Sequence, residues 1–158
     1  MVFNPKTWLV RKTAPAAAAK STDATKSSTK QRGDAAEDAA LAHLQAQGLR
    51  LVQRNFKTAG RGGGEIDLIM RERDGTLVFV EVRQRASASQ GGAGGSVTRV
   101  KQQRIVLAAR HFLLRLGSEP PCRFDVVLLQ GPALAAGVPS TAASITWLRA
   151  AFDASASF

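Results

Sequence analysis

The stretch that decides the fold is TLVFVEVRQ, residues 76–84, the most β-prone run in the chain. Side chains of a strand point alternately to its two faces, so three valines share one face, which we expect to pack against a helix: Val78, Val80 and Val82. The opposite face carries three other side chains: Phe79, Glu81 and Arg83. Glu81 is therefore a carboxylate in the middle of a strand that is otherwise suited to burial. Such a group is costly unless a cation or a partner compensates its charge.

The preceding segment, EIDLIMR at 65–71, predicts a second strand, and the Asp-Gly pair at 74–75 predicts a tight hairpin turn between the two. Alternation places one set of side chains on one face: Glu65, Asp67 and Ile69. The other set falls on the opposite face: Ile66, Leu68 and Met70. Because the turn lies midway between Asp67 and Glu81, we expect these two carboxylates to stand almost directly opposite each other.

The rest of the chain predicts two helices and three more strands around this hairpin. Apolar spacing of three and four residues predicts helices at 34–47 and 98–116, each close to a glycine or proline stop. Short β-prone runs predict strands at 49–56, 123–129 and 145–148. The order α-β-β-β-α-β-β is typical of the α/β class, with a mixed central sheet flanked by helices. A glycine-dense turn at 58–64 and a flexible loop at 86–95 complete the pattern.

The charge of the chain is uneven. Of a formal net charge of +10 over 158 residues, +6 falls within residues 1–32, which contain seven basic residues and one acidic residue. We predict a flexible basic tail at 1–32, a globular domain at 33–152 and a short C-terminal end at 153–158. The tail composition also resembles a transit peptide, which stays an alternative. Such a basic chain favours a polyanionic partner.

Composition excludes several classes of protein. The single cysteine, Cys122, excludes an intrachain disulfide and a cysteine-rich zinc site. No apolar run approaches the ~18 residues that a membrane-spanning helix needs, and no secretory signal is visible, so we expect a cytoplasmic protein without membrane partners.

The two opposed carboxylates need a positive partner. Arg83 could supply it, in which case the acids form partly exposed ion pairs on an open sheet face. A divalent ion such as Mg²⁺ (or Mn²⁺) could supply it instead, held by Asp67, Glu81 and the main-chain carbonyl of Val82. Glu37, on the first helix, could reach the same sheet edge. A metal held in this way would activate water and neutralise charge on a scissile phosphate.

Six stretches, in chain order, carry a resemblance to a known family: 33–37 (GDAAE), 54–56 (RNF), 64–69 (GEIDLI), 78–85 (VFVEVRQR), Lys101 with Arg104-Ile105, and 123–127 (RFDVV). Together they resemble the YraN-type family of small bacterial proteins, which is largely uncharacterised. The resemblance implies a fold like that of restriction endonucleases and Holliday-junction resolvases. It also implies a catalytic set in which Arg83 replaces the lysine of the nuclease E-x-K motif: Glu37, Asp67, Glu81 and Arg83.

That replacement affects the chemistry. Arginine stays protonated and cannot act as a base, although it can bind a phosphate through two nitrogen atoms. Three alternatives follow: catalysis by metal-bound hydroxide alone, participation of Lys101 from the second helix, or nucleic-acid binding without cleavage. Lys101 could equally be an exposed lysine. We predict nucleic-acid contacts from three basic side chains: Arg85, Lys101 and Arg104.

The sequence thus predicts a Mg²⁺-dependent endonuclease that acts on nucleic acid, with DNA as the expected substrate. A catalytically inactive nucleic-acid-binding module of the same fold is the alternative, and a protein-interaction scaffold is a third. Related folds often act as dimers, so a homodimer is compatible with the resemblance. Asp125, which begins a hydrophobic strand, is expected to be structural.

Overall fold

The structure is a computed structural model and describes residues 21–60, 63–85, 97–131 and 144–154. Within these ranges the chain forms two helices and five strands, in the order α1 (Ser21–Ala46), β1 (Arg50–Lys57), β2 (Glu65–Arg71), β3 (Leu77–Arg85), α2 (Arg99–Leu116), β4 (Cys122–Gln130) and β5 (Ser144–Phe152). The predicted element order is confirmed. The strands form one sheet in the order β1-β2-β3-β4-β5. β3 and β4 are parallel and every other neighbouring pair is antiparallel, so the sheet is mixed.

The two faces of β3 pack as its alternating side chains predict. Val78 and Val80 are fully buried under α1, in a cluster that includes Ala40 and Leu44 of that helix. Phe79 points to the opposite face and packs under α2. The aromatic ring of Phe112, on α2, meets the Phe79 ring edge-on, with 6.0 Å between centroids. Each helix therefore covers one face of the sheet, and β3 is buried between them.

Helix α1 begins earlier than the sequence predicts. The expected start at residue 34 is wrong, because the helix begins at Ser21. Among the side chains of α1 that the structure describes, which begin at residue 30, the first buried one is Ala36, and residues 30–34 are exposed. Apolar periodicity indicates a helix only where one face meets a core, so the exposed residues 30–34 give no such signal. Residues 1–20 of the predicted tail lie outside the described residues, as do the predicted loop at 86–95 and residues 155–158.

The expected faces of β2 are partly wrong. Leu68 and Met70 lie under α1, but Ile66 packs under α2 together with Phe56, its partner on β1. The residue before Phe56 is Asn55, which lies between two paired rungs and has a φ of 50°. A residue in the left-handed region interrupts the alternation of a strand. Asn55 lies across from Asp67, between the pairs Arg54–Leu68 and Phe56–Ile66, so the departure from alternation coincides with this point of the ladder.

Strand β5 is longer than the predicted 145–148. Its end is held by the ring of Phe152, which stacks on Phe124 of β4 with 5.0 Å between centroids. No helix in the described part of the chain is long and apolar enough to cross a membrane.

Candidate functional site

Asp67 and Glu81 lie where β2 and β3 separate. The ladder between these strands runs from the hairpin to the pair Leu68 and Val80, and Asp67 and Glu81 are the next residue of each strand. At this point an Asp67 side-chain oxygen, Oδ2, accepts a hydrogen bond of 2.8 Å from the backbone N–H of Val82. The two carboxylates therefore adjoin each other, as the hairpin predicts. Val82 contributes its N–H to Asp67, a contact that the sequence did not indicate.

Burial and mutual repulsion shift the titration of this pair. Burial, and then the negative charge of Asp67, raise the pKa of Glu81 to about 7, although Lys101 and Arg83 oppose the shift. Burial also raises the pKa of Asp67, against the lowering effects of the Val82 N–H and of Lys101. At neutral pH Glu81 is thus poised between its protonated and ionised forms. The pair can exchange a proton or accept a cation.

The cation closest to Glu81 comes from α2. Lys101 Nζ lies 3.1 Å from Glu81 Oε2, whereas Arg83 Nη1 lies 3.7 Å from Oε1. Glu81 is 4% exposed and the Arg83 side chain is 43% exposed. Lys101 is thus the cation in contact with this buried oxygen, and beyond Lys101 the described residues supply no hydrogen-bond donor to Oε2. A carboxylate oxygen has two lone pairs, so Oε2 retains the capacity to bind a further positive group.

Glu37 lies beside the pair but has its own partners. Its Oε2 accepts a hydrogen bond of 3.1 Å from the side-chain amide of Asn55 and lies 3.7 Å from Arg54 Nη2. Burial, and then the charge of Asp67, raise the pKa of the Glu37 carboxyl, so the two acids sense each other. Among the residues that the structure describes, however, no three acidic, histidine or cysteine side chains form a group that could hold a metal. The structure joins Asp67 and Glu81, and keeps Glu37 adjacent to them.

Two residues that sequence reasoning missed position this site. A Cβ atom on Gly64 would lie 1.8 Å from the backbone oxygen of Arg104, so only glycine lets the start of β2 lie directly against α2. This contact brings the first turn of α2, which contains Lys101, over the end of the sheet. Asn55 is the second residue, because it adopts a positive φ and binds Glu37. Asparagine tolerates this backbone conformation better than most residues, and that tolerance was the available signal.

The start of α2 is well defined. Thr98 is the N-cap, and its hydroxyl oxygen accepts a hydrogen bond of 3.3 Å from the backbone N–H of Lys101. The first turn contains no acidic residue. Arg104 is exposed one turn further along the helix, and Arg85 ends β3 near the same end of the sheet. The nucleic-acid roles of Arg85, Lys101 and Arg104 stay predictions.

Asp125 is structural, as the sequence predicts. It is fully buried, and its carboxylate accepts hydrogen bonds from three groups: Arg123 Nε at 3.0 Å, Trp147 Nε1 at 2.9 Å and the backbone N–H of Ala150 at 2.9 Å. Arg123 also donates to Glu72, at 2.8 Å. These bonds tie β5 to β4. Because its oxygens are already engaged, Asp125 does not belong to the candidate site.

The fold and the site together define a small α/β protein with an acidic pair and a lysine at one end of a mixed sheet. The profile of the uncharacterised protein family UPF0102 matches residues 36–129, and the chain belongs to this family. This confirms the prediction of a small, uncharacterised bacterial family.

Similar proteins come from several bacteria. A UPF0102 protein of Polaromonas naphthalenivorans (strain CJ2) is 66% identical over 127 residues, covering 80% of this chain and 82% of the relative. A UPF0102 protein of Paracidovorax citrulli (strain AAC00-1) is 62% identical over 131 residues, covering 83% of this chain and 89% of the relative. A third, from Albidiferax ferrireducens, is 63% identical over 126 residues, covering 80% and 90%.

Proposed function

We propose that this protein binds nucleic acid, with DNA as the expected substrate, and hydrolyses its phosphodiester bonds with the help of a divalent metal ion in the cytoplasm. The observation that carries the proposal is the buried pair of Asp67 and Glu81 beside Lys101, whose ammonium nitrogen lies 3.1 Å from Glu81 Oε2. The net charge of +10 favours a polyanionic substrate.

The residues of the site fit a hard cation. The raised pKa values of the two adjacent carboxylates mean that their ionised forms are disfavoured, and a divalent ion bound between them would stabilise those forms. Mg²⁺ or Mn²⁺ is bound through one or two carboxylates together with water and phosphate oxygens. Asp67 and Glu81 would hold the ion. When bound, it would supply Lewis-acid stabilisation and an activated water.

The chain's own side chains would orient the phosphate. Arg83 is partly exposed beside Glu81, and its planar guanidinium can bind two phosphate oxygens at once and stabilise the charge that develops during cleavage. The ammonium group of Lys101 would take the position of the nuclease lysine, although Lys101 extends from α2 and not from β3. Its ammonium group can orient a water or a phosphate oxygen at the acidic pair. Arg85 and Arg104 would contact phosphates on either side.

Labelled duplex, junction and flap DNA, incubated with Mg²⁺ or Mn²⁺, test the proposal. We expect cleavage by the parent protein and its loss in D67N and E81Q. The matched control is E119Q, because Glu119 is an exposed carboxylate beyond the C-terminal end of α2. Cleavage by D67N or E81Q at the rate of the parent would contradict the site assignment. R83K should retain or raise the activity, and R83A should lower it.

One observation favours a second candidate, a nucleic-acid-binding module without cleavage. Glu37 is engaged by Asn55 and Arg54, so the third acid does not complete a cluster with the pair. Binding measured in EDTA over a range of salt concentrations, beside the cleavage assay, separates the candidates. Both candidates predict affinity that falls steeply with salt, because bound cations are released from the nucleic acid. Salt-dependent binding without cleavage supports the module, and a flat salt response excludes both.

A further inference from the structure

The outward face of α2 carries an apolar stripe that the proposed nuclease site does not use. Three aliphatic side chains at intervals of seven residues are exposed: Val100 at 59%, Leu107 at 40% and Leu114 at 77%. We call them the α2 stripe. Seven residues are close to two helical turns, so the three side chains lie almost in line over about 21 Å on the face opposite the buried Ile105 and Ala109.

The flanks of the α2 stripe are cationic. Arg104 lies on one side of it and Arg110 on the other, and both are exposed. The whole of α2, Arg99–Leu116, contains five lysine and arginine residues and no acidic residue. Beside the C-terminal end of the stripe is a depression of about 520 Å³, lined by Arg110, Leu113, Leu114, Gly117, Ser118 and Glu119. The stripe thus combines a narrow row of aliphatic contacts with cationic flanks along the helix, and only the recess beyond Leu114 adds an acidic group, Glu119.

We propose that the α2 stripe is a docking site for an acidic amphipathic helix of a partner protein. When helices pack side by side, apolar side chains of one helix insert between those of the other, and charged residues beside the seam select the partner; the α2 stripe supplies one such apolar row. A partner helix with leucines facing the stripe would bury these side chains, and glutamates at its edges would meet the cationic side chains of α2. Charge complementarity of this kind also determines the choice of partner.

The same features disfavour the other occupants. A second copy of α2 would bring a cationic helix against a cationic helix, which is repulsive. A nucleic-acid backbone would match the arginines but would leave the three aliphatic side chains without apolar partners. A lipid surface is bound by helices with a broad apolar face that commonly includes aromatic residues, whereas this stripe is one residue wide and aliphatic.

Binding of a designed peptide to the full-length protein tests the proposal. The probe is a fluorescein-labelled three-heptad peptide with leucine at the a and d positions and glutamate at e and g, and its anisotropy reports binding. We expect saturable binding to the parent and at least about tenfold weaker binding to the double variant L107S/L114S. The matched control is L51S/V52S, which removes two exposed apolar side chains from β1 and should bind like the parent. Thermal melts confirm that both variants are folded.

Three further measurements can overturn the proposal. Equal binding of the parent and L107S/L114S, or no binding by the parent, would show that the stripe is not the docking site. Equal binding of a peptide with lysine in place of every glutamate would exclude the role of charge. The last measurement replaces the peptide with anionic phosphatidylglycerol vesicles or with duplex DNA. If L107S/L114S loses vesicle or DNA binding by as much as peptide binding, the surface belongs to a lipid or nucleic-acid partner instead. None of these outcomes depends on cleavage, so they are separate from the test of the nuclease site.

Discussion

The ammonium nitrogen of Lys101, in the first turn of α2, lies 3.1 Å from Oε2 of Glu81, a buried carboxylate oxygen on the middle strand of the sheet. The contact connects the most buried acid of the candidate site to a helix that begins 18 residues later in the sequence, at Arg99. Arg83, on the same strand as Glu81, is further from it and more exposed. The cation that matters most to Glu81 is therefore Lys101.

Replacing Lys101 with methionine should shift the titration of Glu81. Lys101 lowers the pKa of Glu81, so K101M should raise that pKa above its present value of about 7. Under the proposed function it should also reduce DNA cleavage by about a hundredfold. The carboxyl carbon resonances of glutamate, followed by NMR across pH, measure the shift directly. R99M removes a cation from the same turn of α2 and should leave the pKa of Glu81 unchanged, whereas an unchanged pKa in K101M would show that the contact is weak in solution.

The raised pKa of Glu81 predicts a specific dependence of stability on pH. The folded protein retains this proton up to about pH 7, while the unfolded chain releases it near the ordinary glutamate pKa of 4.5. Between these values the folded state binds more protons, so the free energy of unfolding falls as pH rises, by up to roughly 3 kcal/mol.

The E81Q variant removes this titration and tests it. In EDTA, E81Q should be more stable than the parent by roughly 1–3 kcal/mol at pH 8, and nearly equal to it at pH 4.5. Urea unfolding at both pH values measures the difference. E119Q, which alters an exposed carboxylate, should follow the parent. If E81Q and the parent show parallel stability profiles, Glu81 does not titrate as its burial implies.

The hairpin could be predicted from the sequence because the rules that shape it are local. Alternation along β3 placed Val78 and Val80 opposite Phe79, and the Asp-Gly turn placed Asp67 beside Glu81. Ile66 was assigned to the wrong face because the positive φ of Asn55, on the neighbouring strand, interrupts the regular alternation. The early start of α1 was missed because an exposed helix carries no apolar period.

The candidate site could be predicted only in part. Asp67 and Glu81 follow from strand register, but the position of Lys101 depends on how α2 sits against the sheet. Gly64 determines how closely α2 approaches β2, because its Cα packs against the backbone of Arg104. The residues that surround Gly64 and Arg104 in the sequence give no sign of this contact. Tertiary contacts between elements far apart in the chain leave no local pattern.

Substitution of Gly64 tests the close contact between β2 and α2. G64A should destabilise the protein by about 2–4 kcal/mol, because the added carbon overlaps the backbone of Arg104 and pushes α2 away from β2. The displacement should also weaken the effect of Lys101 on Glu81.

Substitution of Gly33 tests the early start of α1. G33A adds a methyl group to the exposed part of α1, where nothing lies within 4 Å, and should raise the helix content and also the free energy of unfolding, the latter by about 0.5–1 kcal/mol. Circular dichroism measures the helix content and urea unfolding measures the free energy of unfolding, for G64A as for G33A. An unchanged helix signal in G33A would show that α1 does not extend to Ser21 in solution.

The attachment of β5 depends on Asp125. In D125A the Trp147 indole N–H, the Ala150 amide and the Arg123 guanidinium lose their common acceptor. Removing one partner from a buried charged network leaves the others uncompensated, so we expect a loss of about 3–5 kcal/mol. The matched control is D38A, because the exposed Asp38 pairs only with Arg54 among the contacts described and should cost less than about 1 kcal/mol. Urea unfolding gives the free energies.

Hydrogen exchange of the Trp147 indole shows whether β5 separates from β4 before the rest of the protein unfolds. Ala150 has a φ of 48°, and its amide N–H donates to Asp125. This amide should therefore exchange early in D125A and remain protected in D38A.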